Sequence, residues 1–422
     1  MLGRSVAAKS FTFRDPVKIL FITSRLPWPL DKGDRLRAYH QMRMLQKEHE
    51  VHLFSLTEST PTEEARAALD QVTTSIRCYK MNKPRRWIRL LFAALSSRPF
   101  QVHWFYQSAA NQQLHTWLKD LQPDVIHCQL LRMAEYVRDD HQVPRVLDFM
   151  DALSAGMSRR AALRPIWSRW IFHWEAQRLA RYESVIFDYF DAKTIISAAD
   201  QKLIAHPSRK EISVVPNGVD SDYFKAQEPQ RTVGEQRVIL FTGNMSYPPN
   251  IDAALVLVKD ILPLVTHQSV KVVIAGTQPT SEILSLACAN VEVTGWVPDL
   301  RVAYSRADVF VAPLRIGTGQ QNKILEAMSM GIPCITTEHV LNGLPFQSGT
   351  RPPLSIAATP EETAKAIDDL LIDNNQVLER GKKSREWIEK YNSWDAQTKA
   401  LEQSFVNSTL YKPEEGAWKI KK

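Results

Sequence analysis

Residues 317 to 331, GTGQQNKILEAMSMG, hold the side-chain types and spacing most able to do chemistry. Gly317 and Gly319 let the backbone come close to a ligand, and the unpaired amides around Gln320, Gln321, Asn322 and Lys323 open a helix as an anion site. A phosphate group fits such a site. Lys323 adds a point charge near that end, and Glu326, one turn further, is able to accept hydrogen bonds from the vicinal hydroxyls of a sugar. On physical grounds alone a second reading stays open, with Glu326 a good helix former and Lys323 a solvated charge, because a strand, a glycine loop and a helix are a common sequence of elements.

The surrounding pattern says where this loop is held. DVFVAP before it reads as a strand, Ile324, Leu325 and Met328 face a sheet, Gly331 supplies a left-handed stop, and Pro333 ends the helix. The loop therefore belongs outside the carboxyl end of a parallel strand, where open α/β sheets bind ligands. Flanking it are RVILFTGNM, a helix beginning near Asn250, VKVVIAG, a helix near 280 to 288, VEVTGWV, a short helix from Asp299, and the strand PCITT. The first half has the same alternation: VKILFITS at 17 to 24, a continuous apolar run suited to a strand covered on both faces, then strands at 51 to 56, 124 to 128, 145 to 150 and 184 to 188. This alternation predicts two Rossmann-like, doubly wound parallel sheets facing a central cleft. A chain of 422 residues is long enough for two cores. The turn-rich passage 214 to 236 is the expected linker between domains at 17–213 and 237–384, with tails at 1–16 and 409–422.

Hydrophobic content of 44% and charged content of 23% are those of an ordinary globular chain. The amino terminus has no signal-peptide pattern, and no run approaches the roughly 18 apolar residues of a spanning helix, which places the expectation in the cytoplasm. Cys78, Cys128, Cys288 and Cys334 form no CxxC pair and are expected as buried small hydrophobes. The net charge of +7 is concentrated in two stretches, 83 to 106 and 158 to 183, that interleave Arg with Trp and Phe. That composition suits peripheral contact with the anionic cytoplasmic face of an inner membrane; the alternative is aromatics packed inward with arginines in water. No nucleic-acid module accompanies the charge.

The 317–331 passage, together with VVPNGVDSDYF and GNMSYPPNIDAALVLVKDILP, resembles the family-4 retaining nucleotide-sugar glycosyltransferases, and among them the bacterial sugar transferases associated with exopolysaccharide clusters. The likeness runs from about Val17 to Phe405. It implies the two-domain GT-B fold, with residues 385–408 as a helix packing back on the first domain. It implies transfer of a sugar from a nucleotide-diphosphate sugar to a glycan or lipid-linked glycan, with no cofactor and no metal. By this resemblance Glu326 matches the glutamate that touches the ribose, while Thr318 stands where the family has a glutamate on the donor sugar. Gly243 and Asn244 occupy the strand end where the family often places an Arg and a Lys on the diphosphate, so Lys323 and Arg315 are the nearest replacements in sequence. Gly33, Asp34 and Arg35 match the acceptor loop, one glycine where the family usually has two.

Three residues are candidates for chemistry: Lys323, His127 at an expected strand end facing the cleft, and Asp151, which follows Met150 where the family commonly has His. Asp151 has a plain alternative as a helix N-cap. DFMD has its acids three apart, unlike a DxD metal motif. The same architecture also serves sugar-nucleotide epimerases, and Thr318 leaves open a catalytically weak sugar-nucleotide-binding protein. An NAD enzyme is disfavoured because no GxGxxG follows a strand.

Overall fold

The computed structural model describes residues 15–82, 87, 90, 93, 96, 98–162, 164–225, 236–316, 320–346 and 350–410. The chain divides into two compact units. One runs to Val215 and resumes at Thr398; the other is Pro216–Gln397.

In the first unit seven strands pair in parallel in the order β3-β2-β1-β4-β5-β6-β7. They are β1 (Lys18–Thr23), β2 (Glu50–Thr57), β3 (Ser75–Lys80), β4 (Val125–Gln129), β5 (Arg145–Asp148), β6 (Ala192–Ile195) and β7 (Ser213–Val214). Alternate residues serve opposite faces, as strand geometry demands. Leu20 and Ile22 join one core with Phe54, Leu56, Ile126 and Leu147, while Ile19 and Phe21 join another with Val51, Leu53, Val125 and Val146. Cover on both faces buries the central strands β2, β1, β4 and β5 almost completely, which is why β1 reads as an unbroken apolar run, while the edge strand β3 stays half-exposed. Residues 398–410 complete the second of these cores, because Leu401 and Phe405 pack with Ile19, Phe21 and Val125.

The second unit repeats the plan with six parallel strands in the order β10-β9-β8-β11-β12-β13. They are β8 (Arg237–Thr242), β9 (Val270–Ala275), β10 (Val291–Gly295), β11 (Val309–Ala312), β12 (Cys334–Thr336) and β13 (Ser355–Ile356). Its short helices start at side-chain caps, Thr280 accepting from Ile283 and Asp299 from Arg301, the usual device for satisfying orphan amides.

Three expectations fail. Residues 184–188 are not a strand: they close the helix Ile166–Phe187, with Ile186 and Phe187 buried and Val185 exposed, and the strand follows at β6. A short apolar run does not by itself separate the two. The helix expected over 385–408 is two, Asn374–Tyr391 and Trp394–Leu410, broken where the Val219 amide donates to the Asn392 carbonyl at 2.7 Å. Cys128 and Cys334 are buried, but Cys78 is half-buried and Cys288 exposed.

A buried ion pair ties the first unit together. Arg37 and Asp148, both fully buried, meet at 2.6 Å, and Asp148 also accepts from Thr194 Oγ1 at 3.0 Å and the Met150 amide at 3.2 Å. Burial alone would raise this carboxyl, but Arg37 and its hydrogen bonds hold it below the ordinary carboxylate value.

A second buried carboxylate caps a helix. Glu183 accepts from the Ser154 amide at 2.9 Å and Ser154 Oγ at 2.5 Å, at the start of helix Leu153–Ala162. Burial pushes the Glu183 carboxyl up to about 7, against the hydrogen bonds from Ser154. A carboxyl raised on folding contributes its full stability below its ordinary value of 4.5 and loses it as pH climbs through 7. Urea unfolding at pH 5 and pH 7.5 should therefore show a decline on the order of 3 kcal/mol from this group, and Glu183→Gln should flatten that slope.

Candidate functional site

At the carboxyl edge of the second sheet, Gly243 directly follows β8 and Gly276 directly follows β9, both at positive φ (+156° and +150°). A Cβ on Gly276 would lie 1.7 Å from the Gly243 carbonyl oxygen. Only glycine allows this approach. A Cβ on Gly243 would meet Asn250 Nδ2 at 2.7 Å and Lys323 Nζ at 3.0 Å, so the missing side chain leaves room for a lysine head.

Lys323 comes from helix Asn322–Ser329, whose inner face, Ile324, Leu325 and Met328, is fully buried. Its ammonium donates to Asn250 Oδ1 at 2.6 Å and lies 4.7 Å from the centre of the Phe241 ring. Burial lowers its pKa to about 8, with Glu326 partly offsetting that. Asn250, itself buried, is held by donating Nδ2 to the Asn244 carbonyl at 2.9 Å. The Asn244 side chain accepts from the Ser246 amide and hydroxyl at 2.9 and 2.8 Å, closing the turn after β8.

One turn on, Glu326 Oε2 accepts from the Tyr304 hydroxyl at 2.9 Å. Tyr304 is fully buried, and its hydroxyl also lies 3.2 Å from Thr242 Oγ1 and from the Lys323 carbonyl. Burial raises the Glu326 carboxyl, while Tyr304 and Lys323 pull it back. The helix thus presents a cation and a carboxylate one turn apart, each fixed by a neutral partner.

At the start of this helix Gln321 gives no side-chain cap, and Asn322 Oδ1 is buried without a hydrogen-bond partner among the described residues. Gln320 points elsewhere: its amide spans the Asn217 backbone, accepting from N at 3.1 Å and donating to O at 2.8 Å. Gly317, Thr318 and Gly319 lie outside the described residues. Arg315, more than half exposed, has its guanidinium engaged by both carboxylate oxygens of Asp252. Asn250, Tyr304 and Gly276 were missed. Asn250 was visible only as a helix start, Tyr304 had no sequence signal, and Gly276 ends a strand like many glycines.

The first-unit candidates fare unevenly. His127 is not at an exposed strand end. It is fully buried in β4, its ring 4.5 Å from Phe21 and 5.6 Å from Phe405. Burial lowers its pKa to about 4, so it is a neutral core residue out of reach of any substrate. Asp151 is exposed and does not cap the following helix, a task done by Glu183. Bulk around it and the Asp200 carboxylate raise its own carboxyl. Gly33 opens helix Gly33–Leu45, with nothing within 4 Å of where a Cβ would be. Asp34 pairs with Arg25 at 2.9 Å and Arg35 with Asp31 at 2.8 Å. The acids of DFMD cannot act together, since Asp148 is consumed by Arg37. Among the described residues Glu48, His49 and Glu402 come close enough to share an ion, beside the start of β2 and so at the opposite edge of the sheet from the strand ends that carry these candidates.

Two parallel α/β sheets in this arrangement define the GT-B glycosyltransferase fold. Similar solved structures include a glycosyltransferase from Rickettsia africae ESF-5 (13% identity, TM-score 0.63, covering 93% of this chain and 99% of that one). Others are HepE of Anabaena in complex with UDP (14%, 0.60, 91% and 98%) and sucrose-phosphate synthase from Thermosynechococcus elongatus (14%, 0.59, 90% and 96%). The Anabaena protein is also known in complex with UDP-glucose. No curated protein sequence matches the chain. Residues 236–373 match the profile of the family described as glycosyl transferases group 1. The matched stretch lies within the second unit, and the enzyme is a glycosyltransferase.

The glycine contact at the sheet edge should be the least tolerant point of this unit. Gly276→Ala, which drives a methyl into backbone at an unfavourable φ, is expected to cost about 4 kcal/mol or more, and Gly243→Ala about 1–3 kcal/mol. Urea unfolding of the two variants measures the difference.

Proposed function

We propose that the protein is a retaining glycosyltransferase that takes a sugar from a nucleotide-diphosphate sugar and passes it to a glycan or lipid-linked glycan, in the synthesis of exopolysaccharide or another cell-surface polysaccharide. The observation that carries this reading is the Lys323 and Glu326 pair, one helical turn apart and fixed by Asn250 and Tyr304. The desolvated ammonium of Lys323 suits the leaving diphosphate, with the uncapped amides of its helix sharing that charge. Glu326, its second oxygen free of the Tyr304 bond, suits the hydroxyls of the ribose.

No carboxylate nucleophile is assigned. The bond between the anomeric carbon and the diphosphate oxygen breaks while the acceptor hydroxyl bonds to the same face, and its proton passes to the departing diphosphate. The enzyme then contributes positioning and charge stabilisation. UDP and UDP-glucose, the ligands of the Anabaena structures, are the first donors to test.

Peripheral membrane contact is part of the reading. No helix among the described residues is long and apolar enough to cross a membrane. The helices Leu153–Ala162 and Ile166–Phe187 expose Ile166 (83%), Trp167 (77%) and Trp170 (64%) to solvent. Residues 152–174 contain four arginines and no acidic residue. Exposed tryptophans among arginines favour an anionic interface. Of the other basic stretch, residues 83–86, 88–89, 91–92, 94–95 and 97 lie outside the described residues.

Titration calorimetry with UDP should show affinity falling at least tenfold in Lys323→Ala and in Glu326→Ala. In the wild type, affinity should weaken as pH rises through about 8, where the Lys323 ammonium loses its proton. Absence of UDP and UDP-sugar binding at any pH would sink the donor assignment, and donor converted to an epimer without acceptor would move the enzyme to another class. In sedimentation with phosphatidylglycerol vesicles, Trp167→Ala/Trp170→Ala should leave most protein in the supernatant, and high salt should release the wild type.

A further inference from the structure

In the first sheet the strand order reverses between β1 and β4, and open parallel sheets bind ligands outside their strands' carboxyl ends at such a point. The segments leaving these strands bring Arg25 after β1, Arg132 after β4 and Asp151 after β5, and helix Gly33–Leu45 adds Asp34. Gln129, the last residue of β4, donates Nε2 to the Asp34 carbonyl at 2.9 Å and locks two of these segments together.

The cations there are unequally satisfied. Arg25 is paired, its Nη1 2.9 Å from Asp34 Oδ2. Arg132 is not. Its guanidinium lies 4.7 Å from the centre of the Phe105 ring, which Arg25 also approaches at 5.9 Å. Arg132 Nε is buried with no hydrogen-bond partner among the described residues, and no carboxylate there lies within ion-pair distance of it. Burial and the charges of Arg25 and Arg160 lower its pKa to about 10, against the pull of Asp34 and Asp151. It therefore stays charged at neutral pH. A half-buried guanidinium whose Nε is shut off from water and that lacks an anion carries a desolvation cost which an incoming anion offsets. Its planar fork of donors is shaped for two oxygens of a phosphate or diphosphate.

We propose that Arg132, with Arg25 and Arg160 beside it, forms a phosphate-binding subsite at the switch point of the first sheet, and that the acceptor bears a phosphate or diphosphate. The subsite stands on the geometry of the first unit; only the word acceptor rests on the glycosyl-transfer reading. Asp151, exposed next to it, is placed to accept from a hydroxyl of the sugar that carries that phosphate.

The test separates this subsite from the nucleotide site. Full-length Lys323→Ala, which lacks the cation of the second unit, is titrated calorimetrically with inorganic pyrophosphate, alone and combined with Arg132→Gln or Arg132→Lys. Binding is expected in Lys323→Ala, at least tenfold weaker after Arg132→Gln, and partly restored by Arg132→Lys, which keeps charge without the fork. Melting temperatures of the variants check folding, and UDP affinity should be unchanged in Arg132→Gln alone. Two further arms name the source of the phosphate. Loss of sugar 1-phosphate binding in Arg132→Gln supports a free or glycan-borne phosphate. Loss confined to phosphatidylglycerol vesicles, with phosphatidylcholine as control, supports a lipid headgroup. Equal pyrophosphate binding with and without Arg132 in folded protein overturns the subsite. Failure of UDP binding with pyrophosphate still held by Arg132 would instead overturn the donor assignment.

Discussion

A half-buried cation without a carboxylate bonded to it is the constraint around which the carboxyl edge of the second sheet is built. Lys323 has only partial charges for company, an amide oxygen of Asn250 and the face of Phe241, while Glu326 is turned to Tyr304. Such an ammonium holds its place because the surroundings over-determine it. Gly243 has no side chain to displace it, Asn250 is clamped by the turn after β8, and the helix bearing it is pinned by three buried apolar side chains. Preorganisation of this kind is what lets a site stabilise developing negative charge without first rearranging.

The first unit uses charge differently. Arg37 and Asp148 form a closed pair whose spare hydrogen-bonding capacity goes to Thr194 and to the backbone at Met150, a residue at φ +61°. A buried ion pair adds little net stability compared with apolar packing, but losing either partner strands the other. Its effect is to join helix Gly33–Leu45 to the ends of β5 and β6, and so to fix the loops that carry Asp34 and Asp151.

The parallel sheets were legible because burial on both faces writes unbroken apolar runs, and Lys323 and Glu326 were legible because a glycine loop before an amphipathic helix is a local pattern. What the sequence did not disclose is the long-range part. Asn250 reaches Lys323 from 73 positions away and Tyr304 reaches Glu326 from 22, and no local rule links them. The same blindness produced the errors. The Asp252 partner of Arg315 lies in another element, and His127 looked exposed because Phe405, which covers it, comes from the helix Trp394–Leu410. Residues 184–188 failed for a local reason: helix and strand share short apolar runs.

The last helix also has a consequence in time. Leu401 and Phe405 belong to the core beneath β1 and β4, yet the ribosome makes them only after the whole of Pro216–Gln397. At roughly 5–20 residues per second, the first sheet waits on the order of 10 to 40 seconds with one apolar trench unfilled. The first unit is begun first and finished last, so premature release of the nascent chain would expose that trench to aggregation, and a holdase chaperone would find its handle there.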